Sequence, residues 1–182
     1  MGMAAPLYYT ADMVRALPDD GNRYETVHGE LLVTPAPRWW HQEVLARLHV
    51  ALRAYLDTHR VGHSVFSPAD ISWGPDTLVQ PDLFVVPIED ARTGDWTRMQ
   101  RLLLVIEVLS PSTTRADRFA KRRLYQEQNV PAYWVVDGDT RVVEVWSPEA
   151  TFPTVEHERV SWSADPVVEP FRVELAELFR EL

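Results

Sequence analysis

The stretch Leu102-Leu103-Leu104-Val105-Ile106-Glu107-Val108-Leu109 decides the fold. It is apolar at every position but one, the pattern of a strand buried on both faces. Ser110-Pro111-Ser112-Thr113-Thr114 follows as a loop able to cap a helix. A helix is predicted from about Arg115 to Asn129, ending before Pro131. Ala132–Val136, AYWVV, reads as a second buried strand. A strand–helix–strand unit of this kind makes a right-handed parallel crossover. Beyond the turn Asp137-Gly138-Asp139, Arg141–Trp146 pairs back as a hairpin.

Working upstream, Leu83–Val86 is a short apolar run introduced by Gln80-Pro81-Asp82, and Ser64–Ser67 and Asp70–Trp73 are shorter strand candidates. Asp90 to Gln100 is a polar loop. His41 to His59 is the clearest helix. Its Val44, Leu45, Leu48, Ala51, Leu52, Tyr55 and Leu56 fall on one stripe, with Gly62 as a stop signal. Arg23 to Val33 reads as a hairpin around His28-Gly29, with strands Tyr24–Val27 and Glu30–Val33. Before it, Thr10 caps a short helix that Pro18 ends. Downstream, Val155–Trp162 adds a strand and Leu175–Leu182 a terminal helix. The class is α/β: a mixed β-sheet flanked by α-helices. No repeat or linker divides the 182 residues, which read as one domain. Within it, a helix and hairpin span 10–33, a core about 41–146, and a strand and helix 155–182.

Composition narrows the chemistry. The chain has no cysteine, which excludes thiolate zinc sites, iron–sulfur clusters and a cysteine nucleophile. No apolar run approaches a membrane span. MGMAAPLYYT lacks the basic flank and apolar core of a signal peptide, and Pro6 stands where acylation of Gly2 wants Ser or Thr. A cytoplasmic protein without membrane attachment is expected. Phosphate-binding, dinucleotide-binding and nucleophile-elbow motifs are missing, as is a His-Glu-x-x-His zinc motif.

The net charge is −9, yet Arg115 to Arg123 carries five basic residues and one acid. A basic helix on an acidic body can track a phosphate backbone; a solvated helix face is the commoner meaning of such a run. Of 18 basic residues only Lys121 is a lysine. Lys and Arg differ as chemical groups, so the sole lysine points mildly to a chemical role, with chance retention beside it. A helical wheel buries Ala116, Phe119, Ala120 and Leu124. Lys121, Asp117 and Gln128 lie along the border, from which a lysine stem can reach under the helix. A simple pair with Asp117 at i,i+4 is the other reading.

Glu107 is the informative residue. A carboxylate inside such a strand must be paired, metal-bound or at the sheet's open end. A structural ion pair with a nearby arginine stands as an equal alternative. Asp82 opens the strand Leu83–Val86, and if the two strands are neighbours the carboxylates converge. Two such oxygen ligands suit Mg²⁺ or Mn²⁺. Taken alone, Asp82 after a proline is a turn or cap residue. His41 either contacts a scissile phosphate or serves as a cap.

These pieces resemble the Uma2 family of restriction endonucleases, within the PD-(D/E)XK nuclease superfamily. The resemblance covers roughly Tyr9 to Trp146. It is carried by Tyr24-Glu25 with Gly29-Glu30-Leu31, His41-Gln42, Pro81-Asp82, Glu107-Val108-Leu109-Ser110-Pro111-Ser112-Thr113, Lys121 with Tyr125, and Tyr133-Trp134-Val135-Val136-Asp137. It implies a restriction-endonuclease-like core with a divalent metal at Asp82 and Glu107. The superfamily pattern places a lysine two positions after the acid, where this chain has Leu109. Lys121, on the following helix, is the lysine available to replace it. Glu30 and His41 are implied as neighbours of the site, and Tyr125 and Asp137 fit structural roles equally.

Two functions follow. The first is a metal-dependent endonuclease acting on DNA. Asp82 and Glu107 would hold Mg²⁺ or Mn²⁺, and Lys121 would stabilise charge or help deprotonate a water. Arg118, Arg122 and Arg123 would bind flanking phosphates. Cutting two strands benefits from two-fold symmetry, so a homodimer is expected. The alternative is a non-catalytic nucleic-acid-binding or assembly module that keeps the nuclease fold.

Overall fold

The computed structural model describes residues 8–181. The readings made on residues 1–7, and the last residue of the expected terminal helix, lie outside them.

Among the described residues twelve strands form three sheets. β1 (Arg23–Val27) and β2 (Glu30–Thr34) form the expected hairpin. His28 and Gly29 both take positive φ, 50° and 82°, as a two-residue hairpin turn that follows the strand twist requires. β4 (Ile71–Ser72) and β5 (Leu78–Val79) complete this smaller sheet, in the order β2-β1-β5-β4. β5 is too short to carry a periodic signal of its own.

The main sheet also uses β3 (His63–Phe66), β6 (Leu83–Val86), β7 (Leu104–Val108), β8 (Tyr133–Asp137), β9 (Val142–Trp146) and β10 (Thr154–Glu156). Its order is β10-β9-β8-β7-β6-β3. β7 and β8 are parallel, as the crossover requires, and the other pairings in this sheet are antiparallel. Every residue of β6, β7 and β8 is buried.

Successive side chains in these strands serve opposite faces. Leu83, Val85, Leu104, Ile106, Val108, Trp134 and Val136 pack against α2 (Trp39–His59) through Val44, Leu48, Leu52 and Leu56. Each of these helical side chains is at most 3% exposed, and burying one contributes about 1.5–3 kcal/mol. The alternate residues Phe84, Val86, Val105, Tyr133 and Val135 pack with Leu124 and Tyr125 of α4 (Arg122–Glu127) and with Val27, Ile71 and Val79 of the smaller sheet. α1 (Ala11–Arg15), capped by the Thr10 hydroxyl accepting from the Met13 N–H at 3.2 Å, packs outside the smaller sheet with Leu78 and Tyr24.

Several local expectations are corrected. α2 stops at Arg60, which takes the left-handed conformation (φ 56°) and donates its N–H to the Leu56 carbonyl. Gly62 is instead a packing glycine, since a Cβ there would lie 2.6 Å from Val85 Cγ1. The polar loop 90–100 holds the end of a one-turn helix, α3 (Ile88–Ala91), and a 3₁₀ turn at Trp96–Arg98. Val155–Trp162 divides between β10, which pairs with β9, and β11 (Arg159–Trp162), which pairs with β12 (Phe171–Glu174). α5 is only Leu175–Leu178; Arg47 donates to the carbonyls of Leu178 and Arg180 at this end, at 3.0 and 2.6 Å.

The largest correction concerns the helix after β7. It is π-wound over Ala116–Lys121 before continuing as α4. The inward face is centred on Asp117, Lys121 and Leu124 rather than on Ala116, Phe119 and Ala120. Phe119, expected inside, is 63% exposed, while Asp117 and Lys121, expected at the border, are buried.

Candidate active site

Asp82 and Glu107 face each other across β6 and β7. The register Leu83↔Ile106 sets Asp82 opposite Glu107, and alternation aims both at the face with Phe84 and Val105. The Asp82 N–H donates to Glu107 Oε2 at 3.3 Å, and the Val108 N–H donates to Asp82 Oδ2 at 2.9 Å. Asp82 is 3% exposed and Glu107 fully buried.

Three further elements supply charge. From the π-helix, Lys121 Nζ lies 3.0 Å from Glu107 Oε1, 3.0 Å from Glu25 Oε1 and 3.5 Å from Asp117 Oδ1. The Tyr125 hydroxyl also donates to Glu107 Oε1 at 3.0 Å. From β1, Arg23 donates to Asp82 Oδ1 at 2.8 Å, and its Nε is 3.8 Å from Glu25 Oε2. From the first turn of α2, His41 Nε2 meets Asp82 Oδ2 at 3.0 Å. The structure thus brings Asp82, Glu107, Lys121 and His41 together.

Glu25, Arg23 and Asp117 complete the group and were not singled out as site residues from sequence. A signal existed for Glu25 and Arg23. They share the phase of Val27, which is buried against the main sheet, while Tyr24 faces α1. Glu30 lies at the other end of the hairpin, exposed and paired with Val27, apart from the carboxylate group. Arg118 is held at the β8–β9 end by Glu144 (2.8 Å) and Asp137 (3.0 Å). Arg122 stacks on Trp146 at 4.7 Å, and Arg123 pairs with Glu127 at 2.9 Å. None of the three arginines touches the carboxylates. Asp137 also accepts the N–H groups of Asp139 and Thr140, a turn-forming role.

The electrostatics follow from burial. Desolvation pushes the Asp117 carboxyl up to about 6 and Glu107 well above the usual carboxylate range. Burial would also raise Asp82, but the His41 bond and the Arg23 guanidinium outweigh it and hold that carboxyl low. Burial would lower Lys121, but the charges of Glu107, Glu25 and Asp117 hold it above the ordinary lysine value.

Four buried carboxylates stand against two obligate cations, Arg23 and Lys121. Glu25 Oε2 and Asp117 Oδ1 have no hydrogen-bond partner. Such spare oxygen lone pairs fit a hard divalent cation. Among the described residues no three carboxylate or imidazole groups are already arranged as a metal cage. Mg²⁺, however, is commonly bound by one or two carboxylates plus waters.

Asp82 opens onto a cleft of about 500 Å³ that is also lined by Arg23, His41, Gln80, Ser110 and Thr113. Glu107, Glu25 and Lys121 lie beneath its floor, at most 1% exposed.

A mixed sheet with a helix-linked parallel pair and carboxylates on facing strands defines a restriction-endonuclease-like α/β protein. The chain belongs to the Uma2 family, whose model is described as "Putative restriction endonuclease" and matches residues 11–176. It is similar in fold to a solved structure from Anabaena variabilis, described as "a putative nuclease belonging to DUF820". The two share 19% identity with a TM-score of 0.76, over 94% of this chain and 97% of that one. No curated protein matches the chain. Among the described residues no helix is long and apolar enough to cross a membrane.

Proposed function

We propose that this protein is a metal-dependent endonuclease that hydrolyses DNA phosphodiester bonds. The observation that carries the proposal is Asp82 facing Glu107 across β6 and β7, with Lys121 Nζ 3.0 Å from Glu107. Family membership and the fold shared with the Anabaena protein support it.

Asp82 and Glu107 would hold Mg²⁺ or Mn²⁺. Such an ion supplies Lewis-acid stabilisation of charge on the phosphate in the transition state. Lys121, kept protonated by its three carboxylates, places a fixed positive charge beside Glu107, a stabilising role rather than that of a base. His41 and Arg23 line the cleft and orient Asp82, each through one of its oxygens. Arg122 and Arg123 border a second cleft and would take flanking phosphates. A two-fold pair of chains would present one site to each strand.

The test is nicking of supercoiled plasmid with Mg²⁺, with Mn²⁺ and with chelator. Wild type should nick only with metal. Asp82→Ala, Glu107→Ala and Lys121→Ala should fall to background, and Asp82→Ala should lose Mn²⁺ binding measured by calorimetry. Metal-independent nicking, or an active Asp82→Ala, would overturn the proposal.

One observation favours the second reading, a non-catalytic nucleic-acid-binding module. Both Asp82 oxygens already accept bonds from the protein, and Lys121 is 1% exposed. That reading expects a folded wild type that binds DNA without metal and never nicks it.

A further inference from the structure

A second cleft of about 650 Å³ lies between β2 and the π-helix. It joins the Asp82 cleft at Thr34 and Thr113, which line both. Its chemistry is mixed. Leu31, Val33 and Phe119 offer apolar surface, with Val33 46% and Phe119 63% exposed. Arg115, Arg122 and Arg123 line it as well. Among the described residues Arg115 and Arg122 have no carboxylate within ion-pair distance; Arg122 is steadied by the Trp146 ring and by Gln126 at 3.1 Å.

Phe119 stands on the outer face of its helix. Asp117, Lys121 and Leu124 turn inward, and Phe119 is left lining the cleft. A duplex keeps its bases stacked within and presents phosphates outside, so it has no use for an exposed ring and an apolar wall. A single strand exposes base faces together with phosphates, and an aromatic ring flanked by arginines matches both.

We infer that this cleft binds single-stranded nucleic acid beside the reacting duplex, with a base stacked on Phe119 and neighbouring phosphates on Arg115 and Arg122. The inference rests on the nuclease reading for the polymer's identity and extends it to substrates with an unpaired arm.

The experiment is fluorescence anisotropy of the full chain with chelator present, so that nothing is cut. The probes are a labelled blunt duplex, the same duplex with a single-stranded arm, and the single strand alone. The arm should tighten binding on the order of tenfold. Phe119→Ala should abolish that gain and Phe119→Trp should keep it. Arg115→Gln should weaken armed binding and reduce its salt slope by about one. Equal affinity for blunt and armed duplex, or an arm gain that survives Phe119→Ala, overturns the inference. So does sedimentation showing that Phe119→Ala splits a dimer, which would make the ring a contact between copies. Plasmid nicking run in parallel separates the two failures: active nicking without arm preference overturns the subsite alone, and arm preference without nicking overturns the catalytic reading alone.

Discussion

Two helices pack on opposite faces of the main sheet with the same spacing and opposite chemistry. α2 buries Val44, Leu48, Leu52 and Leu56, four residues apart. The π-helix and α4 bury Asp117, Lys121 and Tyr125, also four residues apart. On the first face, removal of apolar surface from water holds the layers together. On the second, ions are buried and must compensate one another, an arrangement that adds little net stability and fails badly when one partner is removed. Periodicity therefore shows which residues can go inside; it does not show what the interior is for. A buried face assembled from charge is where this molecule keeps its chemistry.

The contrast can be broken most sharply at Lys121. Lys121→Met leaves Glu25, Glu107 and Asp117 buried without their shared cation and should cost about 5 kcal/mol in urea melts. Adding Glu25→Gln should restore part of that loss, since the pair is coupled. A strictly additive double variant would show that the cluster does not act as a unit.

On the apolar face, Leu52→Ala should cost about 3–4 kcal/mol, as expected for a fully buried leucine. Nicking by the folded fraction should persist, because Leu52 belongs to the core facing away from the carboxylates. Loss of nicking in a variant shown by circular dichroism to be folded would mean that the two faces are coupled.

The faces should also differ in pH response. The Asp117 carboxyl is raised from 3.8 to about 6 in the folded state, chiefly by burial. Between those values the folded chain binds the extra proton, so stability should fall as pH rises from about 4 to about 6, by roughly 2–3 kcal/mol from this group. Asp117→Asn should remove that slope, whereas Leu52→Ala should lower the whole curve evenly. Asp82, held low, acts in the opposite sense and only at more acid pH: its contribution is lost as pH falls through its folded value. A pH profile unchanged in Asp117→Asn would contradict the assignment.

The smallest effect belongs to the outer surface of the charged helix. Arg123→Gln removes an exposed i,i+4 pair with Glu127 and should change stability by only about 0.3–0.5 kcal/mol, within reach of a thermal melt. A larger loss would mean that this exposed surface also holds the fold.

Much of this was legible beforehand. The apolar run Leu102–Leu109, the His28-Gly29 hairpin and the α2 stripe carry strong local signals, and each forms its element in the folded chain. Glu107 stood out because a carboxylate in such a run is costly unless compensated, and Lys121 because no other lysine exists. Asp82 followed once its strand was read as the neighbour of β7.

Glu25, Arg23 and Asp117 were not singled out as site residues, for a common reason. The phase of β1 says that Arg23 and Glu25 share a face with Val27. Only the packing of the hairpin against the main sheet decides that this face meets Lys121 and Asp82. Asp117 and Phe119 exchange roles because apolar phasing favours Phe119 inside, whereas Lys121 pairs with Glu107 and Glu25 and Asp117, one turn away, goes in with it. Arg118 reads as a free cation in the sequence and is claimed by Glu144 and Asp137 from another hairpin. Backbone periodicity and the cost of an isolated charge are properties of short segments, and the sequence alone determined those. Which charges compensate one another depends on surfaces far apart in the chain, and the tertiary structure alone decided that.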